Sequence, residues 1–239
     1  MNLNTGFYKD LDTNFEQAYE LCEQEFNHQE LLDLLKNGNI PQKQIAALKF
    51  DYIESKEDAE ALLNNLTGCD GKIREAVAMK IFQLISNNLN VTKYFMQLSP
   101  KTFADATIDI NANICRLIVD SVIYFDKKSL FISDYVNFLV KYTNEALNEL
   151  DKFIFRDKKY VINKQLFKLY WCLESLKNFY EQVDESTLKN ILESSISQNE
   201  YTVREKAAQI IQKSNKYKEL KSKLLNDENY YVRQVFLNH

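Results

Sequence analysis

The residue types that most often carry catalysis or bind metals are sparse in this chain. Only two of its 239 residues are histidines, His28 and His239, and neither lies near a cysteine in sequence. The cysteines stand singly, without a Cys-x-x-Cys pair, whereas zinc sites and Cys-His nucleophiles need both residue types at defined positions. Four glycines leave no Gly-rich phosphate loop. We therefore expect no catalytic residue, no metal and no cofactor. We expect the four cysteines to be free thiols in a reducing compartment; they are Cys22, Cys69, Cys115 and Cys172.

Trp171 is the single tryptophan, and the segment KLYWCLESL around it allows two interpretations. An exposed indole would offer a platform for stacking a base or another planar ligand. A buried indole would belong to an apolar helical stripe, which the spacing favours. The leucines that share this stripe are Leu166, Leu169, Leu173 and Leu176.

Charge is unevenly distributed along the chain. The formal net charge is −4, made up of −6 through Lys36, −3 from Asn37 to Asp151 and +5 from Lys152 onward. A pI near 5.4 argues against a dedicated nucleic-acid-binding protein. Two basic segments, DKFIFRDKKYVINK and QKSNKYKELKSK, could still form a local positive surface for an acidic protein or a nucleic-acid backbone.

The sequence shows neither a signal peptide nor a membrane span. Its first twenty residues are acidic and lack an apolar core segment. The most apolar run, NICRLIVDSVIYF, is short and contains Arg116 and Asp120. We expect a cytoplasmic protein without membrane contact.

Helical periodicity dominates the chain, so the elements that would position any site are predicted to be helices. Only two prolines and four glycines occur, too few for a turn-rich β-fold. Apolar residues recur at three- and four-residue spacing, and capping signals separate these runs, such as Ser55 with Asp58 and Ser99 before Pro100. We predict an all-α protein of twelve to fourteen helices, mostly in pairs. The clearest apolar faces are Ala59, Leu62, Leu63 and Leu66; Ile73, Val77, Ile81 and Leu84; and Tyr135, Phe138, Leu139, Tyr142, Ala146 and Leu150.

Four of the five arginines share one local setting. Each follows a polar turn and an apolar or cysteine residue and begins an apolar-periodic helix. Lys43 lines up with Arg74 at an offset of 31, and a further member is expected near Lys159 to Lys164. Between residues 89 and 183, only one of these arginines marks the register. The four arginines are Arg74, Arg116, Arg204 and Arg233.

This arrangement resembles the HEAT-repeat family, in particular the short repeats of phycobilin-lyase-type proteins. The resemblance rests on a loop acid or asparagine, then an apolar residue and arginine, then a small apolar residue on a second helix. It implies an α-solenoid of about five to seven repeats over residues 29–239, with residues 1–28 as an N-terminal capping helix. The arginine is expected to bridge the turn acid and the carbonyls or acid of the next repeat.

The resemblance implies a non-catalytic scaffold that binds a protein partner along the second helices. Exposed positions on those helices would supply the contacts. Two alternatives remain open: a DNA-binding or repair protein resembling HEAT-like alkylpurine DNA glycosylases, and a tetrapyrrole-related protein. The first would use Trp171, although Glu174 stands where that family would place an aspartate. The candidate binding residues are Lys80, Gln83, Lys206, Gln209 and Lys213.

Overall fold

A computed structural model describes residues 5–154 and 159–237 of the chain, with side chains for 13–150, 152 and 163–237. Fourteen α-helices and two short 3-10 helices, and no strand, occur within these ranges. The predicted all-α class is therefore confirmed over the described part of the chain.

The described residues divide into two compact units. Unit 1 comprises the residues up to Thr102 together with Asn111–Phe125, and unit 2 comprises Phe103–Ile110 together with the residues from Asp126 onward. The predicted border between residues 28 and 29 lies inside unit 1, one residue into the second helix. The helices of unit 1 are α1 (Thr5–Glu23), α2 (His28–Asn37), α3 (Ile40–Lys49), α4 (Lys56–Leu63), α5 (Gly71–Asn87) and α6 (Thr92–Phe95). Next come α7 (Pro100–Thr107), which has residues in both units, and α8 (Ala112–Val122) of unit 1. Those of unit 2 are α9 (Leu130–Ile154), α10 (Lys159–Leu176), α11 (Glu185–Ile196), α12 (Tyr201–Ser214), α13 (Lys218–Leu224) and α14 (Tyr230–Gln234).

Within each unit, helices pack on helices that lie two or three positions away along the chain as well as on their neighbours. In unit 1, α3 packs on α5 and α5 on α8, while α2 packs on α4 and α4 on α6. In unit 2, α10 packs on α12 and α12 on α14, and α9 contacts both α10 and α11. The apolar faces predicted from the sequence are the ones that this packing buries, including Leu62, Val77, Ile81 and Leu139, each 0% exposed.

Side-chain caps determine where several helices begin. The predicted capping box at Ser55 and Asp58 is confirmed, with the Asp58 N–H donating to Ser55 Oγ at 3.1 Å. Asn39 and Gln42 form a second box at the start of α3. The helix α7 begins at Pro100, as predicted. These caps satisfy backbone N–H groups that a helix would otherwise leave without partners.

A buried hydroxyl network joins three helices of unit 2. Tyr135 is fully buried, and its hydroxyl lies 2.8 Å from the hydroxyls of both Thr107 and Ser175. Thr107 also donates to the Phe103 carbonyl at 2.9 Å. Because each buried hydroxyl has a partner, the network adds specificity to the packing of α7, α9 and α10 without leaving an unsatisfied polar group.

The repeated cations share one helical position, which the sequence pattern had only approximated. Arg74, Arg204, Arg233 and Lys43 are each the fourth residue of their helix, counted from the first helical residue. A side chain at this position leans toward the helix N-terminus and reaches the preceding turn. The predicted alignment of Lys43 with the arginines is confirmed by this shared position.

Arg204 makes the most complete set of contacts. Its Nε and Nη2 donate to the two carboxylate oxygens of Asp227 at 2.8 and 3.0 Å, and its Nη1 donates to the carbonyls of Gln198 and Asn199. Both side chains are 8% exposed. Arg204 therefore bridges the carbonyls of its own turn to Asp227 in the turn before α14.

The other three cations at this position each make some of the kinds of contact that Arg204 makes. Arg74 donates to the Cys69 carbonyl, and Arg233 donates to the carbonyls of Asp227 and Glu228. Lys43 donates to Asn65 Oδ1 of a later turn at 3.1 Å. The position is thus used to satisfy turn carbonyls and to link successive turns.

Arg116 departs from the predicted pattern. It is the fifth residue of α8, because Cys115 occupies the fourth position and is buried. A shift of one residue rotates a side chain by about 100° around the helix. Arg116 is consequently exposed, and its Nη2 donates to Asn113 Oδ1 at 2.7 Å within the same helix. The sequence around Arg116 is similar to that around the other arginines, but Arg116 stands one residue further from the start of its helix. The further member expected near Lys159 to Lys164 lies where α10 begins, and the Lys159 side chain is outside the described residues.

Candidate protein-binding surface

The candidate surface lies in unit 2, where α10 ends against α12. The last turn of α10 is followed by a tight turn, with the N–H of Asn178 donating to the Ser175 carbonyl and that of Phe179 to the Leu176 carbonyl. Helix C-termini expose carbonyl groups and carry partial negative charge, which favours nearby cations. Two of these carbonyls, on Lys177 and Asn178, accept hydrogen bonds from lysine side chains.

Three lysines surround Asn178, and we call Lys127, Lys177 and Lys213 the lysine cluster. Lys127 Nζ donates to the Asn178 carbonyl at 3.3 Å. Lys213 Nζ lies 3.4 Å from the Lys177 carbonyl and 3.5 Å from Asn178 Oδ1. Lys127 and Lys213 are exposed, and neither forms an ion pair with a carboxylate of the described residues. Their hydrogen bonds are long, so they stabilise the ammonium groups only weakly.

The cluster creates a positive local potential. Partial burial, followed by the charges of Lys177 and Lys127, lowers the pKa of Lys213, and Glu174 offsets this only in part. Like charges disfavour the protonated form of a neighbouring ammonium group. An anion placed among these lysines would relieve that repulsion.

Glu174 binds the two less exposed lysines of this region, Lys206 and Lys177. Lys206 Nζ lies 2.8 Å from Glu174 Oε2, and Lys177 Nζ lies 2.6 Å from Glu174 Oε1. Burial raises the pKa of Glu174, but the hydrogen bonds from both lysines outweigh it and leave that pKa below its usual range. Lys206 also lies over the Tyr170 ring, 5.0 Å from its centroid. Lys206 is therefore held inside the protein.

Of the predicted binding residues on α12, Lys213 and Gln209 lie at the candidate surface and Lys206 lies beneath it. Lys213 is exposed and belongs to the lysine cluster. Gln209 is half-buried, and its Oε1 accepts from Lys177 Nζ at 3.3 Å. The expectation that Lys206 is exposed is wrong, since its side chain is 12% exposed. Its long aliphatic stem lets the residue pack inward while the ammonium group reaches Glu174.

The two predicted binding residues on α5 belong to unit 1. Gln83 is exposed, as expected. The expectation of exposure is wrong for Lys80, which is 7% exposed and extends its Nζ to within 3.6 Å of Asp51 Oδ1. Asp51 is itself largely exposed, so the lysine stem is buried and only its charge approaches the surface.

A groove continues from the lysine cluster, and we call it the anchor groove. It is lined by Val183 and Leu188, which are buried, and by Tyr180 and Tyr217, which are half-buried. The Tyr180 hydroxyl donates to the Lys213 carbonyl at 3.3 Å, which joins the groove to the cluster. The helix α12 ends here at Asn215, which adopts a left-handed conformation (φ 52°) that asparagine tolerates at helix ends.

Sequence reasoning found two residues of this surface, Lys213 and Gln209. It did not predict Lys127, Lys177, Tyr180 or Tyr217. They come from segments separated by up to about ninety residues, so no local spacing could have revealed them. The basic segment that contains Lys213 and Tyr217 was the only signal. Most of the other basic segment, DKFIFRDKKYVINK, lies outside the residues whose side chains are described.

Trp171 is a core residue. Its side chain is 9% exposed and packs edge-on against Phe167 and Tyr170, with centroids 6.3 and 5.1 Å away. The indole Nε1 is buried without a hydrogen-bond partner. Trp171 therefore cannot present the face that base stacking requires, and the interpretation as part of the apolar stripe is confirmed.

His28 has a structural setting. Its Nε2 lies 3.1 Å from Asp58 Oδ1, and its ring stacks on Tyr52 with centroids 4.4 Å apart. Asp58 also accepts hydrogen bonds from the N–H groups of Glu54 and Ser55. Burial raises the pKa of Asp58, but these hydrogen bonds outweigh it and lower the pKa overall. The pair holds the start of α2 against the start of α4.

Cys172 is a buried core thiol. Burial raises its pKa to about 12, and a hydrogen bond with Thr143 offsets only part of this effect. A thiol with so high a pKa stays protonated and unreactive at neutral pH.

Over the described side chains, no group of three or more His, Cys, Asp or Glu residues is arranged to hold a metal ion. The described helices include none that is both long and apolar enough to cross a membrane.

Comparisons with known proteins identify no family for this chain. No family model matches it, and no curated protein matches it. Six chains of solved structures match, among them an engineered protein whose crystal structure was determined by a structural-genomics consortium. That protein is 12% identical, and the match covers 88% of this chain and 94% of the other, with a TM-score of 0.46. Such values carry no argument about the function of this chain.

Proposed function

We propose that this chain is a non-catalytic scaffold that binds a protein partner through the surface where α10, α12 and the lysine cluster meet. The observation that supports this proposal is the pair of exposed lysines, Lys127 and Lys213, which share one site and lack a carboxylate partner. Lys206, by contrast, is paired with Glu174 and is only 12% exposed. Exposed cations beside a groove with aliphatic and aromatic walls are suited to recognition.

The proposal includes a HEAT-like solenoid arrangement and a cytoplasmic location. Packing between alternate helices within each unit supports the first, because stacked repeats bring equivalent helices together. The shared position of Lys43, Arg74, Arg204 and Arg233 supports it as well. Burial of Trp171 removes the stacking platform on which the DNA-repair hypothesis depended.

The test is quantitative affinity purification of the tagged chain from its native host. The double variant K127E/K213E is compared with K218E/K223E, which makes the same change of charge on α13, where both lysines are exposed. We expect at least one protein to be recovered with wild type and with the control variant, and to fall at least tenfold with K127E/K213E. Equal recovery with both variants would place the partner elsewhere and contradict the proposal.

Lys206 is unsuitable for this test, although the sequence suggested it. Reversing its charge would place a carboxylate at position 206 beside the carboxylate of Glu174, in a partly buried site. The variant would lose stability, and reduced binding could not be assigned to a lost contact.

A further inference from the structure

The lysine cluster and the anchor groove are continuous, and together they define more of the partner than either does alone. The Tyr180 hydroxyl binds the Lys213 carbonyl, so a side chain of the groove and the backbone of a cluster residue are held together. Ser214, the residue after Lys213, also lines the groove, so a ligand bound there lies beside the segment that carries Lys213. The two features act on the same ligand.

The groove is suited to an apolar or aromatic side chain. Val183 and Leu188 are 8% and 3% exposed, and the half-buried rings of Tyr180 and Tyr217 line the same groove. Aromatic and aliphatic walls favour an anchor residue that is desolvated on binding. Lys216 also lines the groove, but it already lies 3.6 Å from Glu185.

The cluster is suited to carboxylates. Lys127 and Lys213 make only long hydrogen bonds to backbone and amide oxygens, at 3.3 to 3.5 Å. A carboxylate would make shorter, charge-assisted bonds and would reduce the repulsion among the three ammonium groups. Lys177 shares the single carboxylate of Glu174 with Lys206, so Lys127 and Lys213 are the two members of the cluster without a carboxylate partner.

Carboxylates that line the anchor groove limit how long an anionic ligand of this site can be. Glu181 accepts from the Tyr180 hydroxyl at 3.3 Å, and Glu185 lines the groove as well. A continuous polyanion, such as a nucleic-acid strand, would meet these carboxylates beyond the lysines. A short segment with an apolar anchor and neighbouring acids avoids that repulsion.

We propose that this site binds a short acidic segment of a partner protein, with one apolar side chain in the anchor groove and two or more carboxylates on Lys127 and Lys213. This inference rests on the proposed scaffold function and specifies its partner. The required chemistry is one aromatic or large aliphatic residue within about four residues of the acids.

The experiment is a selection from a random peptide-display library against the immobilised full chain, followed by fluorescence anisotropy of the enriched peptides. We expect enrichment of peptides that combine an apolar residue with at least two acids. Their affinity should fall at least tenfold with K127E/K213E and less than twofold with K218E/K223E. Melting temperatures of all variants should agree with wild type, so that altered binding is not attributed to unfolding.

A second variant tests the groove independently of charge. Y217S should weaken the selected peptide about tenfold, but it should not weaken further a peptide whose apolar residue is replaced by glycine. This non-additivity is the signature of direct contact between the anchor and Tyr217.

Four results would overturn the inference. One is the enrichment of peptides without acids, and another is affinity that K127E/K213E leaves unchanged. The third is displacement of the peptide by a twenty-residue oligothymidylate at equal concentration, which would assign the site to nucleic acid. Failure to enrich any peptide would also reject a short segment. The scaffold proposal would still stand if affinity purification recovers a protein that depends on Lys127 and Lys213.

Discussion

The turn that holds Arg204 and the lysine cluster around Asn178 are both basic, yet they use positive charge in opposite ways. Arg204 and Asp227 are each 8% exposed, and the guanidinium group is bound by a carboxylate and two backbone carbonyls. Lys127 and Lys213 are exposed and make only long hydrogen bonds, to backbone and amide oxygens. Lys127 also lies over the Phe179 ring, 5.8 Å from its centroid.

The difference separates a charge that folding uses from a charge that is available to a ligand. A buried ion pair is costly to break because the remaining partner stays desolvated. An exposed lysine without a carboxylate can be removed at little cost to the fold. The two regions should therefore respond oppositely in stability and binding measurements.

Removing the guanidinium group of Arg204 should have the largest effect on stability. In R204M, Asp227 would lose its bidentate partner while remaining buried, and two turn carbonyls would lose their donors. We expect the free energy of unfolding to fall by about 3 kcal/mol. Urea denaturation measures this change.

Arg116 supplies the matched control for that variant. It begins a similar sequence pattern but is exposed and bonds only within its own helix. R116M should change the free energy of unfolding by less than about 0.5 kcal/mol. Equal losses in the two variants would show that the position in the helix does not decide the role of the arginine.

Lys206 should have an intermediate effect. K206M would remove one of the two cations that neutralise Glu174, while Lys177 remains 2.6 Å from the other carboxylate oxygen. We expect a loss of about 1 to 2 kcal/mol, compared with about 0.5 kcal/mol or less for K213M. If thermal unfolding ranked these two variants in the reverse order, the assignment of Lys206 to the interior would be wrong.

Lowering the pH is a second way to test the ion pair between Arg204 and Asp227. Burial raises the pKa of Asp227, but hydrogen bonds from Arg204 and the Asn229 N–H outweigh it and hold that pKa below its usual value. A carboxylate with a lowered pKa stabilises the protein above its unfolded pKa, near 3.9, and this contribution is lost as pH falls through the folded value.

We therefore expect wild type to lose stability more steeply than R204M between about pH 4 and pH 2. Chemical denaturation at a series of pH values compares the two proteins. Parallel pH curves would mean that the pair contributes no pH-dependent stability.

The lysine cluster should show the smallest effect on stability. Because the three ammonium groups repel one another, the loss of long hydrogen bonds in K127M/K213M is offset by relief of repulsion. We expect the melting temperature to change by less than about 2 °C. A decrease comparable with that of R204M would indicate that the cluster serves folding rather than binding.

Sequence reasoning predicted the helical class and the arginine position because both depend on local spacing. The fourth-residue position of Arg74, Arg204 and Arg233 follows from caps and apolar periodicity within one helix. The pattern failed at Arg116, where a shift of one residue was invisible without knowing where α8 begins.

Exposure and assembly of the site were less predictable. Lys80 and Lys206 carry charges that usually face solvent, and only tertiary packing shows that their stems are buried. The lysine cluster is formed by three segments that are distant in sequence, so only the fold brings Lys127, Lys177 and Lys213 around Asn178. The residues that we propose to bind the partner were therefore the hardest to predict.

The most direct test of this account is photo-crosslinking in extract of the native host, with a photoreactive amino acid placed at position 216, which lines the anchor groove, or, as the control, at position 223. Both positions are exposed lysines in unit 2. We predict one dominant crosslinked protein from position 216, which K127E/K213E in the same chain abolishes, and no such product from position 223. The same crosslinked products from both positions, or a product at 216 that persists with K127E/K213E, would contradict the claim that the lysine cluster binds the partner.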